Sequence, residues 1–260
     1  MLVAAAVCPC PPLLVPDVAA GAAPELDTAR AACGRALEEL AAVRPDRLVV
    51  IGPAGPGEAG TYPQGTPGSF GGYGVDTGVR LGGPGGGRLG EDGDAPADSE
   101  AAHGRHGRRL PVALAVAAWL LDRAGWAAAP VEGLAVDSLL SPELCAETGR
   151  GLAVGRSRTA LLVMGDGSAC RALKAPGYLD ERAAAFDAAA ARALGTADTA
   201  ALMAIDASLA GELKAVGRAP WQVLAGAAGG SDPAGRLLYE DAPYGVGYFV
   251  AAWSCAAEAS

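Results

Sequence analysis

Apolar residues in this chain fall into short unbroken runs separated by longer stretches in which they recur every three or four positions. Residues 2–7, 48–51 and 160–164 are apolar runs without polar alternation, and they predict strands over 2–7, 47–51 and 159–164 buried on both faces. Between the first two, Pro24 opens a predicted helix through residue 43. Leu26, Ala29, Cys33, Ala36, Leu37 and Leu40 share one face of it, and Glu25, Arg30, Arg35, Glu38 and Glu39 lie largely elsewhere. Arg44-Pro45-Asp46 stops that helix, because proline restricts the residue before it. Strand, helix and strand at this spacing predict a parallel crossover.

The alternation resumes after Pro111, with a helix over 111–124, a strand near 129–136, a helix over 142–154 and the strand at 159–164. Alanine, the best intrinsic helix former, dominates 178–194, 197–203 and 207–216, which predict three helices. Trp221 and the glycine cluster at 226–230 read as a connection to two final strands, about 236–240 and 246–253. Tyr244, Tyr248, Phe249 and Trp253 have strand spacing and read as core. No heptad persists. The fold class is therefore α/β: a single domain over 1–260 with a mixed, mostly parallel central sheet and helices on both faces.

Residues 53–109 interrupt this rhythm. About half of the 38 glycines and six of the 19 prolines lie there, which leaves little to pack and predicts a flexible insertion at about 55–109. One short strand is expected near 74–81, where Val75, Val79 and Leu81 alternate with small or polar residues. The glycine run at 82–93 lacks the Gly-Lys-Ser/Thr ending of a phosphate cradle. The only two histidines, His103 and His106, sit in the same insertion beside glycines. Orienting them would be costly, so they read as a solvated stretch balancing nearby acids rather than as ligands.

Composition narrows the function classes. With 260 residues, 51% of them hydrophobic, the chain can bury a substantial core. A net charge of −9 argues against nucleic acid, whose phosphates call for a basic face, and against anionic membranes. The apolar start has no positive leader and is too short for a signal peptide, and residues 110–121 are too few to span a bilayer. Six cysteines without a framework suit a reducing compartment, so a soluble cytoplasmic protein is expected.

The chemistry is expected in three loops that follow the buried runs, since open α/β sheets build their sites at strand carboxyl ends. They are Cys8-Pro9-Cys10-Pro11-Pro12-Leu13-Leu14, Gly52-Pro53-Ala54-Gly55-Pro56 and Gly165-Asp166-Gly167-Ser168-Ala169. In the third, Asp166 offers a carboxylate and Ser168 a hydroxyl, but the pattern is not the Gly-x-Ser-x-Gly of a hydrolase elbow. Local structural roles serve equally well, with Asp166 capping the next segment and Ser168 bonding the nearby backbone.

In order and spacing these loops resemble the class III extradiol ring-cleavage dioxygenases, specifically the fold of their catalytic chain. That family carries His-Pro-Pro, Pro-His-Gly-Pro and Asp-x-Ser-His at the corresponding places, and a carboxylate ligand near the C-terminus. Here Cys10, Ala54 and Ala169 stand at the three histidine positions. The closing segment around Tyr244 resembles the family's own, with Glu240 or Asp241 nearest the expected carboxylate. Residues 163–169 followed by 174–180 are similar to a recurring stretch in uncharacterised actinobacterial relatives.

The resemblance implies the extradiol dioxygenase catalytic fold, oligomers, and oxygen-dependent cleavage of an aromatic ring at ferrous iron. Ferrous iron that activates oxygen generally takes two histidines and a carboxylate, so the residues present imply a degenerate site. The chain is then expected to be non-catalytic or of altered activity, with a pocket kept for a small ligand. The alternative is an active metal-dependent oxidoreductase on a catechol-like substrate. No cofactor is expected; were Fe(II) or Zn(II) held, Cys10, Asp166, Glu240 and Asp241 would be the donors. The candidate pocket comprises Cys8, Cys10, Ala54, Asp166, Ser168, Ala169, Glu240, Asp241 and Tyr244, with Lys174 and Tyr178 at its entrance. No catalytic residue is assigned.

Overall fold

A computed structural model describes residues 1–83 and 108–255. The buried runs become β1 (Leu2–Cys8), β2 (Arg47–Ala54) and β7 (Thr159–Met164), and a fourth central strand is β6 (Val131–Asp137). These four lie side by side and parallel, in the order β6-β2-β7-β1. Short β3 (Gly60–Tyr62) pairs antiparallel with β6 at one edge, and β8 (Pro233–Asp241) and β9 (Tyr248–Cys255) extend the other, giving β3-β6-β2-β7-β1-β9-β8. Since β9 runs against both neighbours, β8 points the same way as β1. The carboxyl ends of β1, β2, β6, β7 and β8 thus share one rim with the start of β9.

Successive residues on a strand face opposite sides of the sheet, and here both sides are covered. Ala4, Ala6, Cys8, Leu48, Val50, Leu162 and Met164 pack under α2 (Asp27–Ala42) and α3 (Val112–Arg123). Ala5, Val7, Val49, Ile51, Leu161 and Val163 pack against α5 (Arg182–Thr196), α6 (Thr199–Met203) and α8 (Arg218–Ala228), with Cys145 of α4 (Pro142–Ala153). Short helices α1 (Pro16–Ala19) and α7 (Ala207–Glu212) fill connections. The predicted α/β fold, with helices on both faces of a mostly parallel sheet, is the one found.

Two regions differ from the sequence expectation. Every residue of α8 is buried, although the glycine cluster and Trp221 read as a connection. Its glycine serves packing: a Cβ on Gly226 would sit 2.4 Å from the Ala146 carbonyl oxygen, and one on Gly149 would sit 2.0 Å from that of Val223, so α4 and α8 cross backbone to backbone. Inside α8, buried Arg218 donates to the Leu140 and Ser138 carbonyls and to Gln222 Oε1. Gln222 Nε2 in turn donates to the carbonyls of Leu202, Met203 and Ile205.

The described part of the insertion is not loose. Beside β3 it forms a hairpin of β4 (Pro67–Ser69) and β5 (Gly78–Arg80), and it buries Tyr62, Phe70 and Leu81 completely under α3. Isolated aromatic and leucine side chains anchor what glycine content alone predicts to be mobile. The strand expected near 74–81 is realised over Gly78–Arg80. His103, His106 and most of the 82–93 glycine run lie outside the described residues. Among the described residues, no helix is long and apolar enough to cross a membrane.

Candidate functional site

β1 and β7 leave the sheet together. Cys8 is in register with Met164, and Gly165 continues the ladder by donating its N–H to the Cys8 carbonyl at 3.0 Å. Two residues on along β1's exit, Cys10 donates its backbone N–H to Asp166 Oδ1 at 2.8 Å. Asp166 therefore bridges two strand exits instead of capping the segment that follows it. Beyond Cys10, no described residue donates to this carboxylate.

The surroundings of Asp166 determine its chemistry. It keeps a partly exposed edge, but desolvation raises its carboxyl pKa to about 7, against the lowering effect of the Cys10 N–H and thiol. The Cys10 thiol is itself pushed well up by burial and then by the Asp166 charge, so it stays protonated near neutral pH. Tyr248, the first residue of β9, is 2% exposed, and burial followed by the charges of Asp166 and Cys10 raises its phenol as well. Its hydroxyl makes no hydrogen bond to any described residue, yet it is not among the sealed-off polar atoms. An acid, a thiol and an unpartnered phenol thus meet at the sheet rim.

The loop that carries Asp166 is held rigidly from behind. Asp187 on α5 is completely buried and accepts Ser168 N–H at 2.7 Å, Ser168 Oγ–H at 2.8 Å and an Arg171 N–H at 3.1 Å. Gly167 donates to the Gly247 carbonyl and Gly247 donates to that of Ser168, zipping the loop to the turn before β9. A Cβ on Gly167 would fall 2.7 Å from both Asp187 Oδ1 and Phe249, so the close approach needs glycine. The Ser168 hydroxyl is consumed by Asp187 rather than by the local backbone, which makes it a strut and no nucleophile. Trp221 Nε1 lies against Gly165 and is the one buried side-chain polar atom without a partner among the described residues.

The other predicted site residues separate. Cys8 faces Cys33 of α2, whose thiol, together with burial, pushes the Cys8 thiol up. Ala54 ends β2 beside Asp137, at the same rim but on the far side of β7, and packs partly into the core. Ala169 is held by Leu213 and Gly177 through its backbone. Glu240 and Asp241 are exposed near the end of edge strand β8, with β9 between them and β1. Asp241 Oδ2 accepts the Tyr239 hydroxyl at 3.5 Å, and burial, then Asp241, raises that phenol to about 12. Tyr244 is not strand core: it lies in the β8–β9 turn and donates its hydroxyl to Glu25 Oε2 at 2.9 Å. Tyr178 is 63% exposed and Lys174 is exposed, both on the loop between β7 and α5.

Asp187 and Tyr248 are the residues of the candidate site that sequence reasoning missed. A signal existed for Asp187: it is the one acid on the alanine stripe Ala183, Ala190, Ala191 and Leu194 that α5 buries. An acid on an apolar face needs a partner. Tyr248 was legible as core but not as a polar group facing the site.

Among the described residues no group of three or more His, Cys, Asp or Glu is placed to hold a metal ion. Four of the surface cavities among the described residues are lined by neither Cys10, Ala54, Asp166 nor Tyr248. One of about 270 Å³, between Met1, Arg150 and Ser231, lies at the opposite, amino end of the sheet.

The fold defines an α/β protein with an open mixed sheet and a candidate site at strand carboxyl ends. No family model matches the chain, and no curated protein matches it. Among solved structures, it is similar to an uncharacterised protein of Escherichia coli K12, with a TM-score of 0.50 and 15% identity over 97% of this chain and 99% of the other. At that identity the likeness speaks for the fold alone.

Proposed function

We propose that this chain is a descendant of the extradiol dioxygenase scaffold in which the iron site has given way to a metal-free site for a small ligand, centred on Asp166, Cys10 and Tyr248. The observation that carries the reading is the donor set. The three positions matched to the family's histidines hold Cys10, Ala54 and Ala169. Alanine donates no lone pair. Cys10 is a buried thiol whose proton a metal would have to displace, and soft sulfur is a poor partner for oxygen-activating ferrous iron. The carboxylates at the family's closing position, Glu240 and Asp241, lie across β9 from Cys10. These residues do not fit ferrous iron, and no ring-opening step is drawn through it.

What remains is a rigid rim with one acid poised near neutrality, supported from behind by Asp187 and the β8–β9 turn. Such a site recognises and orients a ligand. Six buried, unpaired cysteines fit a reducing cytoplasm, and the acidic chain fits a small-molecule partner better than nucleic acid or membrane. The resemblance also supports a homo-oligomer.

Elemental analysis of the purified protein, grown with ample iron and zinc, tests this reading alongside oxygen uptake with catechols. Substoichiometric metal and no uptake are expected. Stoichiometric metal that disappears in Cys10→Ala, or ring opening of a catechol, would overturn it.

A further inference from the structure

Six of the nine large apolar side chains that are exposed among the described residues sit at one part of the rim. Leu139 lies on the connection from β6 and Leu144 in the first turn of α4; Leu173, Tyr178 and Leu179 lie on the connection from β7 to α5, and Val216 on that between α7 and α8. Leu139 is 86% exposed and Leu173 62%. One leucine in water is ordinary, but a cluster of such residues marks a surface that binds another molecule.

The three connections form one surface. Lys214 Nζ donates to the Pro176 carbonyl at 3.4 Å and the Ala169 N–H to that of Leu213, while Arg218 donates to the Ser138 and Leu140 carbonyls on either side of Leu139. Residues 213–218 thus bridge the other two connections, with Val216 between the anchors. Tyr178 and Lys214 hold left-handed backbone, φ 65° and 55°, which a residue with a Cβ adopts only where its surroundings fix it. A preformed surface loses little freedom when it is covered.

Charge distinguishes the two ends. The chain has only two lysines, Lys174 and Lys214, and both stand exposed at the β7–α5 end. There Arg182 is paired with Asp180 and Glu212, Arg171 is paired with buried Asp187, and Glu181 is a further exposed acid. The β6–α4 end carries exposed Asp137 and Glu143 and no cation within residues 137–144, and neighbouring Arg218 is buried and spent on carbonyls and Gln222. A two-fold axis near Val216 lays the lysines of one copy on Asp137 and Glu143 of the other and buries the apolar residues between them. This local match offsets the repulsion expected between two chains of net charge −9.

We infer that this surface is the contact between two copies of the chain, paired about a two-fold axis near Val216. Self-pairing about such an axis needs a surface complementary to itself, and an apolar middle flanked by a lysine end and an acid end is one. An anionic membrane is the poorer occupant, since two lysines on an acidic chain do not make a polybasic patch. The inference supplies the surface for the homo-oligomer proposed above and is independent of what the rim binds.

The test is sedimentation equilibrium of the intact protein over a range of concentrations. Self-association is expected, with a dissociation constant below about 10 µM. Leu139→Asp and Leu173→Asp, at exposed positions, should each raise that constant at least about tenfold with an unchanged circular dichroism spectrum. Lys174→Glu combined with Lys214→Glu should weaken association likewise, and adding Glu143→Lys to that pair should recover part of the loss. A monomer at every concentration would overturn the inference and the homo-oligomer with it. An assembly indifferent to all these substitutions would overturn the surface and leave the homo-oligomer standing, and no recovery on adding Glu143→Lys would overturn the two-fold pairing. The metal and catechol assays are untouched by any of these outcomes, so the ligand reading stands or falls separately.

Discussion

Replacing Asp166 by asparagine should make the protein more stable at pH 8 and leave it nearly unchanged at pH 4. In the fold the carboxyl group holds its proton up to about pH 7, whereas its ordinary value is 3.8. Between those values the folded state binds more protons than the unfolded state, so stability is full below about pH 4 and is lost as pH rises through about 7. Roughly three pH units at about 1.4 kcal/mol each give an upper bound near 4 kcal/mol. Asp166 keeps a partly exposed edge, so solvent screening reduces this to about 2 kcal/mol. Asparagine is uncharged and retains an oxygen for the Cys10 N–H, so it escapes the penalty. Melting followed by circular dichroism should show Asp166→Asn about 4 to 8 °C above the parent at pH 8, converging with it at pH 4. A variant destabilised equally at both pH values, or a parent with a flat stability profile from pH 4 to 8, would refute the reasoning.

Three further outcomes follow from the buried polar network. Gln222→Met strands three carbonyls and the Arg218 side chain, and should cost about 2 kcal/mol in urea unfolding; a loss too small to measure would show that water replaces the amide. Ser168→Ala removes a hydroxyl donor from the buried Asp187 carboxylate and should cost about 2 kcal/mol, seen as a lower urea midpoint at unchanged slope. All six cysteines are buried and unpaired, so a thiol reagent should label almost none in the native protein and six after denaturation; rapid native labelling of Cys10 would mean that the rim opens.

The sheet was legible because its central strands are buried on both faces. Continuous aliphatic runs such as those of β1 and β7 have few alternative readings, and their exits locate the rim. α8 was not legible, since its glycine and tryptophan content reflects a backbone crossing with α4 that no local pattern announces. The ordered part of the insertion was missed for the opposite reason. Composition averages over a segment, whereas three side chains, Tyr62, Phe70 and Leu81, are enough to pin it. Of the site, the loops were visible as strand exits, but the partners were not. Asp166 meets Cys10 across 156 residues and Ser168 meets Asp187 across 19, and such pairings are decided by tertiary packing.

β9 imposes an order on assembly. β1 is made well before its outer neighbour β9, with seven strands between them in the described chain. During synthesis β1 therefore waits with a bare hydrogen-bonding edge, the kind of edge that invites wrong pairing. The turn that enters β9 also supplies Gly247, which latches the Asp166 loop. The frame of that loop is consequently in place only once β9 has been made, and a nascent chain halted before the β8–β9 hairpin would carry the acid without it.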